Sequence, residues 1–156
     1  RMIYNHKPSA YFHKYADESK TPLYPFGFGL SYTNYTYGKP TLSNGSLSGN
    51  EKITVSVEVS NTGEFDGEEI VQLYIRDNVS SATRPVKELK EYQRVVLNTG
   101  ETKTVEFTLD AGSLAFYDIN MEYCVEPGEF TIMTGSSSAR KDLKTTTLTV
   151  NDKIEL

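Results

Sequence analysis

The sequence has no tryptophan, one cysteine and two histidines among 156 residues, and each scarcity closes off a class of explanation. Because Cys124 stands alone, no disulfide can form within the chain, and a metal framework built on cysteine pairs is excluded with it. Tyr123, Val125 and Glu126 flank the thiol and supply neither the base nor the cation that would hold it as thiolate, so Cys124 reads as a buried, inert side chain. His6 and His13 stand seven apart, with no cysteine or carboxylate at the short spacings of zinc sites, which makes them surface or interdomain residues rather than metal ligands.

Positive charge is scarce too. Sixteen basic against 21 acidic residues give a net charge of -5, and the basic ones are scattered along the chain, so the footprint expected for a phosphate backbone is missing and nucleic acid is excluded as a partner. No apolar run approaches the ~20 residues of a membrane span, and the N-terminal residues lack the basic-then-apolar order of a signal peptide, so no membrane partner is expected. Gly27 and Gly29 form a Gly-x-Gly pair, but no strand pattern leads into them and no helix pattern follows, so a nucleotide fingerprint lacks its context and no cofactor is expected.

What is present is β-structure. Short runs of Val, Leu and Ile, with abundant Thr and 11 Tyr, fit a pleated surface better than a helix, and the length suits one domain able to bury its own core. Residues 1 to 32 show no apolar period and carry Pro8, Pro22, Pro25, Gly27 and Gly29, so they read as an irregular arm. That arm nevertheless holds Tyr4, Tyr11, Phe12, Tyr15, Tyr24, Phe26, Phe28 and Tyr32, more rings than a disordered tail carries, and must pack against something. From residue 33 alternation begins. Ile53, Val55, Val57 and Val59 form the clearest strand and end at the turn Asn61-Thr62-Gly63; Val71, Leu73 and Ile75, then Val105, Phe107 and Leu109, then Phe130 and Ile132, repeat the pattern. Residues 79 to 97 read as a loop and a bent strand, the turn 98–101 as the reversal of a hairpin, residues 111–117 as one helical turn or a bridging segment, and the charged tail after Val150 as frayed. About seven strands result, an all-β sandwich of immunoglobulin-like or fibronectin type III-like kind, with an arm at 1–32 and the sandwich at 33–156.

No constellation for chemistry emerges. Glycoside hydrolysis needs two carboxylates roughly 5 to 9 Å apart, one of them desolvated. Glu64, Asp66, Glu68 and Glu69 cluster, but around a Gly63–Gly67 turn that reads as a solvated hairpin tip. The sequons at Asn34, Asn44 and Asn78 have meaning only in a secreted eukaryotic chain. Tyr32, Tyr35 and Tyr37 supply part of a sugar-stacking row, although core or interface packing is the plainer reading of them.

Four collinear stretches carry a family resemblance. LYPFGFGLSYTNY (23–35), VEVSNTGEFDGEEIVQLYIRD (57–77), ATRPVKELKEYQRVVLNTGETKTVEFTL (82–109) and VEPGEFTIMTGSSS (125–138) resemble the C-terminal fibronectin type III-like region of family 3 glycoside hydrolases of the β-glucosidase type. The preceding YNHKPSAYFHKYADESKTPL (4–23) is similar to the end of the α/β sandwich domain before it. The resemblance implies a parent enzyme, periplasmic or secreted, that cleaves terminal β-D-glucosyl residues with retention and without cofactor, its nucleophile and acid/base lying in domains this chain lacks. No catalytic residue carries over, and this chain by itself is expected to be no enzyme. Its implied role is accessory, stabilising or orienting the catalytic domains of its own parent chain. Tyr24, Pro25, Phe26, Gly27, Phe28, Gly29, Leu30 and Tyr32 would be docking residues, with Arg84 and Pro85 as a second edge. Uncovered, the arm would drive self-association. An autonomous carbohydrate-binding module, or a parent β-xylosidase, stands as the alternative.

Overall fold

Along β4 (Ile53–Asn61) every second side chain is buried, Ile53, Val55, Val57, Val59 and Asn61, because extended backbone sends alternate residues to opposite faces. This strand is the axis of the first sheet in the computed structural model, which describes residues 22–156. His6, His13 and the rings from Tyr4 to Tyr15 lie outside the described residues. On one side β4 pairs with β7 (Thr102–Leu109) over its length. On the other it pairs in succession with β1 (Tyr35–Tyr37) and β2 (Thr41–Leu42). These two are one edge strand interrupted at Pro40, which has no N–H to donate; the ladder runs through Gly38 N–H on the Glu58 carbonyl and resumes with Ser43 N–H on that of Thr54.

The second sheet has the order β3 (Ser46–Leu47), β11 (Leu143–Val150), β10 (Gly128–Gly135), β5 (Gly67–Asp77) and β6 (Glu88–Leu97), antiparallel except for the β3–β11 contact. A small third sheet, β8 (Phe116–Tyr117), β9 (Tyr123–Val125) and β12 (Ile154–Glu155), closes one end. Between β7 and β8 sits one helical turn, α1 (Ala111–Leu114), capped by the Asp110 carboxylate on Ser113 N–H at 3.0 Å. The two main sheets press Val57, Phe107 and Leu109 against Leu73, Phe130, Ile132 and Leu148, all at most 1% exposed, which is the sandwich core. The all-β, fibronectin type III-like class is thus observed, with twelve strands among the described residues rather than seven. The excess comes from the split edge strand and from short bridges of two or three residues too brief to show alternation.

Three expectations are corrected. The turn 98–101 is no hairpin reversal, because β6 ends opposite Gly67 of β5 while β7 starts opposite Ser60 of β4; the chain crosses there from one sheet to the other. Segment 61–67 makes the same crossing, so the carboxylates near Gly63 do not sit on a hairpin tip. The tail after Val150 is docked, not frayed: Ile154 is 7% exposed and pairs with Val125. Residues 88–97 form one ten-residue strand whose mixed periodicity has a cause. A register shift opposite Leu73/Tyr74 inserts Lys90, so Leu89 faces with Tyr74 and Tyr92 with Gln72 on the outside, while Val95 and Leu97 face inward.

Candidate functional site

The inward residues of β5 are Val71, Leu73 and Ile75; the outward ones are Glu68, Ile70, Gln72, Tyr74 and Arg76. An outward face should be wet, yet Gln72 is 4% and Tyr74 1% exposed. The arm covers them. Residues 22–32 run over the outer face of the second sheet, anchored by a turn in which Phe28 N–H donates to the Pro25 carbonyl at 3.0 Å. Gly27 takes φ +77 in that turn, and a Cβ there would stand 2.0 Å from Gln72 Oε1, so both backbone conformation and space require glycine. At Gly29 an added Cβ meets nothing within 4 Å and the left-handed region is not used.

Gln72 is the latch. Its Nε2 donates to the Gly27 carbonyl at 3.0 Å and to the Ser136 carbonyl at 2.7 Å, joining arm, β5 and the β10–β11 connection. Its Oε1 accepts from the Tyr74 hydroxyl, and burial pushes the Tyr74 phenol up to about 12. A further tie is Ser138 N–H on the Phe26 carbonyl at 2.8 Å. With its backbone fixed, the arm turns its apolar groups outward: Leu23, Leu30 and Tyr32 are 87%, 93% and 97% exposed, and the Tyr24 and Phe28 rings lie 5.4 Å apart between centroids, both partly exposed. Ile70 and Tyr92 extend the same surface onto β5 and β6. Exposed apolar side chains gathered in this way are uncommon on a folded domain that stands alone.

Pro85 joins Pro22, Leu23, Phe26 and Tyr74 around an open groove of about 1040 Å³ beneath the arm. Arg84 sits deeper. Its side chain is 9% exposed, and the guanidinium bonds Asp77 Oδ2 at 3.1 Å and the Leu114 carbonyl at 3.0 Å, stands 3.6 Å from Glu88, and lies 4.6 Å over the Phe116 ring. Arg84 therefore ties the loop before β6 to α1 and the small sheet.

The other residues singled out from sequence are dispersed. Tyr32, Tyr35 and Tyr37 do not form a row: Tyr35 and Tyr37 pack against the core, and the Tyr37 hydroxyl donates to Glu69 Oε1 at 2.6 Å. Burial raises the Glu69 carboxyl above its usual range, against the lowering effect of that hydrogen bond. Its neighbours go elsewhere, Asp66 accepting from Thr99 N–H at 2.7 Å and Glu68 pairing with Arg94. Among the described residues no group of three or more His, Cys, Asp or Glu could hold a metal ion. Cys124 is buried, 3.8 Å from Asp118 Oδ2, and burial raises its thiol pKa. Sequence reasoning missed Gln72, since an outward glutamine looks solvated; the apolar Ile70 and Tyr74 beside it were the available signal.

Comparison with known proteins places this geometry. Residues 69–138 match the fibronectin type III-like domain family. A β-xylosidase of Formosa agariphila is 51% identical over 137 residues, 88% of this chain and 19% of its own length. The periplasmic β-glucosidase of Salmonella typhimurium is 46% identical over 134 residues, 86% of this chain and 18% of its own. Among solved structures, the β-glucosidase EmGH1 of Erythrobacter marinus superposes with a TM-score of 0.85 at 42% identity, covering 94% of this chain and 19% of that one. The chain thus spans less than a fifth of the length of these relatives.

Proposed function

This chain belongs to the fibronectin type III-like domains of family 3 glycoside hydrolases, and from that premise we propose that it is a non-catalytic accessory domain which stabilises or orients the catalytic domains of a longer parent. The observation that carries the reading is the latched arm: Gln72 fixes its backbone, and it holds Leu23, Leu30 and Tyr32 out in water. Residues 24–30 with Tyr32 and Pro85 form the docking surface in this reading; Arg84 supports it from beneath. The boundary between arm and sandwich falls at 32/33. The parent hydrolyses terminal β-D-glucosyl residues, with a β-xylosidase as the second reading because relatives of both names match.

Hydrolysis of p-nitrophenyl-β-glucoside and p-nitrophenyl-β-xyloside tests this directly. The chain alone should be inactive on both, and the parent that includes the upstream domains should cleave at least one. Turnover by the chain alone, after contaminants are excluded, would overturn the accessory role. Without its parent, the same uncovered surface should drive self-association, so light scattering should report a mass that rises with concentration. A monomer at every concentration would show that the arm needs no cover.

A further inference from the structure

Dispersed along the sequence, three cations line the groove beneath the arm and a fourth stands beside it. Lys87, Arg140 and Lys141 line it beside Pro22, Leu23 and Phe26. Arg76 stands two residues beyond the groove residue Tyr74 on the same outward face of β5, and its charge, with that of Arg140, adds to the burial that lowers the Lys87 ammonium pKa. Among the described residues none of the four enters a salt bridge. Lys87 donates to the Ser138 carbonyl. Glu88, the carboxylate lining the groove, is engaged by Lys90 at 2.7 Å and Arg84 at 3.6 Å. In a chain of net charge -5, four like charges gathered around one partly apolar groove raise its potential and leave it complementary to anions.

We propose that this groove receives a carboxylate-bearing, partly apolar protein surface supplied by the rest of the parent polypeptide. This rests on the docking role above and gives it a chemistry, acidic on basic around an apolar centre. Carboxylates would meet the guanidinium groups of Arg76 and Arg140 in charge-assisted pairs, while apolar groups cover Pro22 and Leu23. A second copy of this chain fits worse, since a two-fold contact through the groove sets cations against cations.

The test uses this chain and its full-length parent side by side, with the double variant Arg76→Met and Arg140→Met, which keeps the aliphatic stems and removes the charges. In this chain alone the melting temperature should stay unchanged or rise, because repulsion is relieved. In the parent, amide hydrogen exchange over residues 26–32 should quicken roughly tenfold, which corresponds to ~1.4 kcal/mol of lost contact. Raising NaCl from about 0.05 to about 0.5 M should quicken the wild-type parent likewise, as screening weakens the pairs. If charge removal and salt are both silent in the parent while Phe26→Ala quickens exchange, the acidic partner is wrong and the docking stands. If all three are silent, the docking itself falls. Equal destabilisation of chain and parent would assign the cations to the sandwich alone and overturn the inference.

Discussion

Arg84→Met should lower the stability of this chain by about 3–5 kcal/mol at neutral pH, the range for removing one partner of a buried ion pair. The guanidinium and its Asp77 partner are 9% and 2% exposed at their side chains, so solvent cannot replace what is lost. Asp77 would keep only the Val79 N–H at 3.2 Å, and the Leu114 carbonyl and the Phe116 face would each lose a partner. Burial already raises the Asp77 pKa, with Arg84 the main opposing influence; without the cation it rises further. A carboxyl whose folded pKa lies above its unfolded value favours the folded state more as it protonates, so falling pH relieves the variant more than the wild type. The gap between the two should therefore narrow from pH 7 toward about pH 4, where unfolded aspartate also begins to protonate. Urea unfolding of both proteins across that window is the measurement. A gap under about 1 kcal/mol, or one that does not change with pH, would mean that water already reaches Asp77.

The sandwich was legible where one face meets the core and the other meets water, as along β4 and β7. It was illegible where both faces are covered. Val71 to Ile75 are five consecutive buried residues, and no period distinguishes the core inside from the arm outside. Sheet membership was hidden for a similar reason: Asn98 to Glu101 mark a reversal, but whether β7 pairs with β6 or β4 depends on registers some fifty residues apart. The proposed docking residues came from the family resemblance rather than from periodicity, and the residue that fixes the arm, Gln72, was invisible because its contacts with Gly27 and Ser136 span 45 and 64 positions. The groove cations failed for the opposite reason, their spacing from 76 to 141 having argued against any basic patch.

Phe26→Ala separates a domain that merely carries an arm from one that uses it. In this chain Phe26 is 43% exposed although it lines the groove, so part of its surface still faces water and truncation should cost well under the 3–5 kcal/mol typical of a fully buried phenylalanine. In the parent, burial of that ring against the catalytic domains should bring the cost to on the order of 3 kcal/mol. The difference between the two costs is the quantity of interest, because packing of Phe26 on its own sandwich, common to both proteins, cancels from it. Chemical denaturation of chain and parent, each with and without the substitution, closes the cycle. A parent that loses no more than the isolated chain would show that the catalytic domains add nothing to the burial of Phe26, and the docking surface would then have to be sought away from the arm.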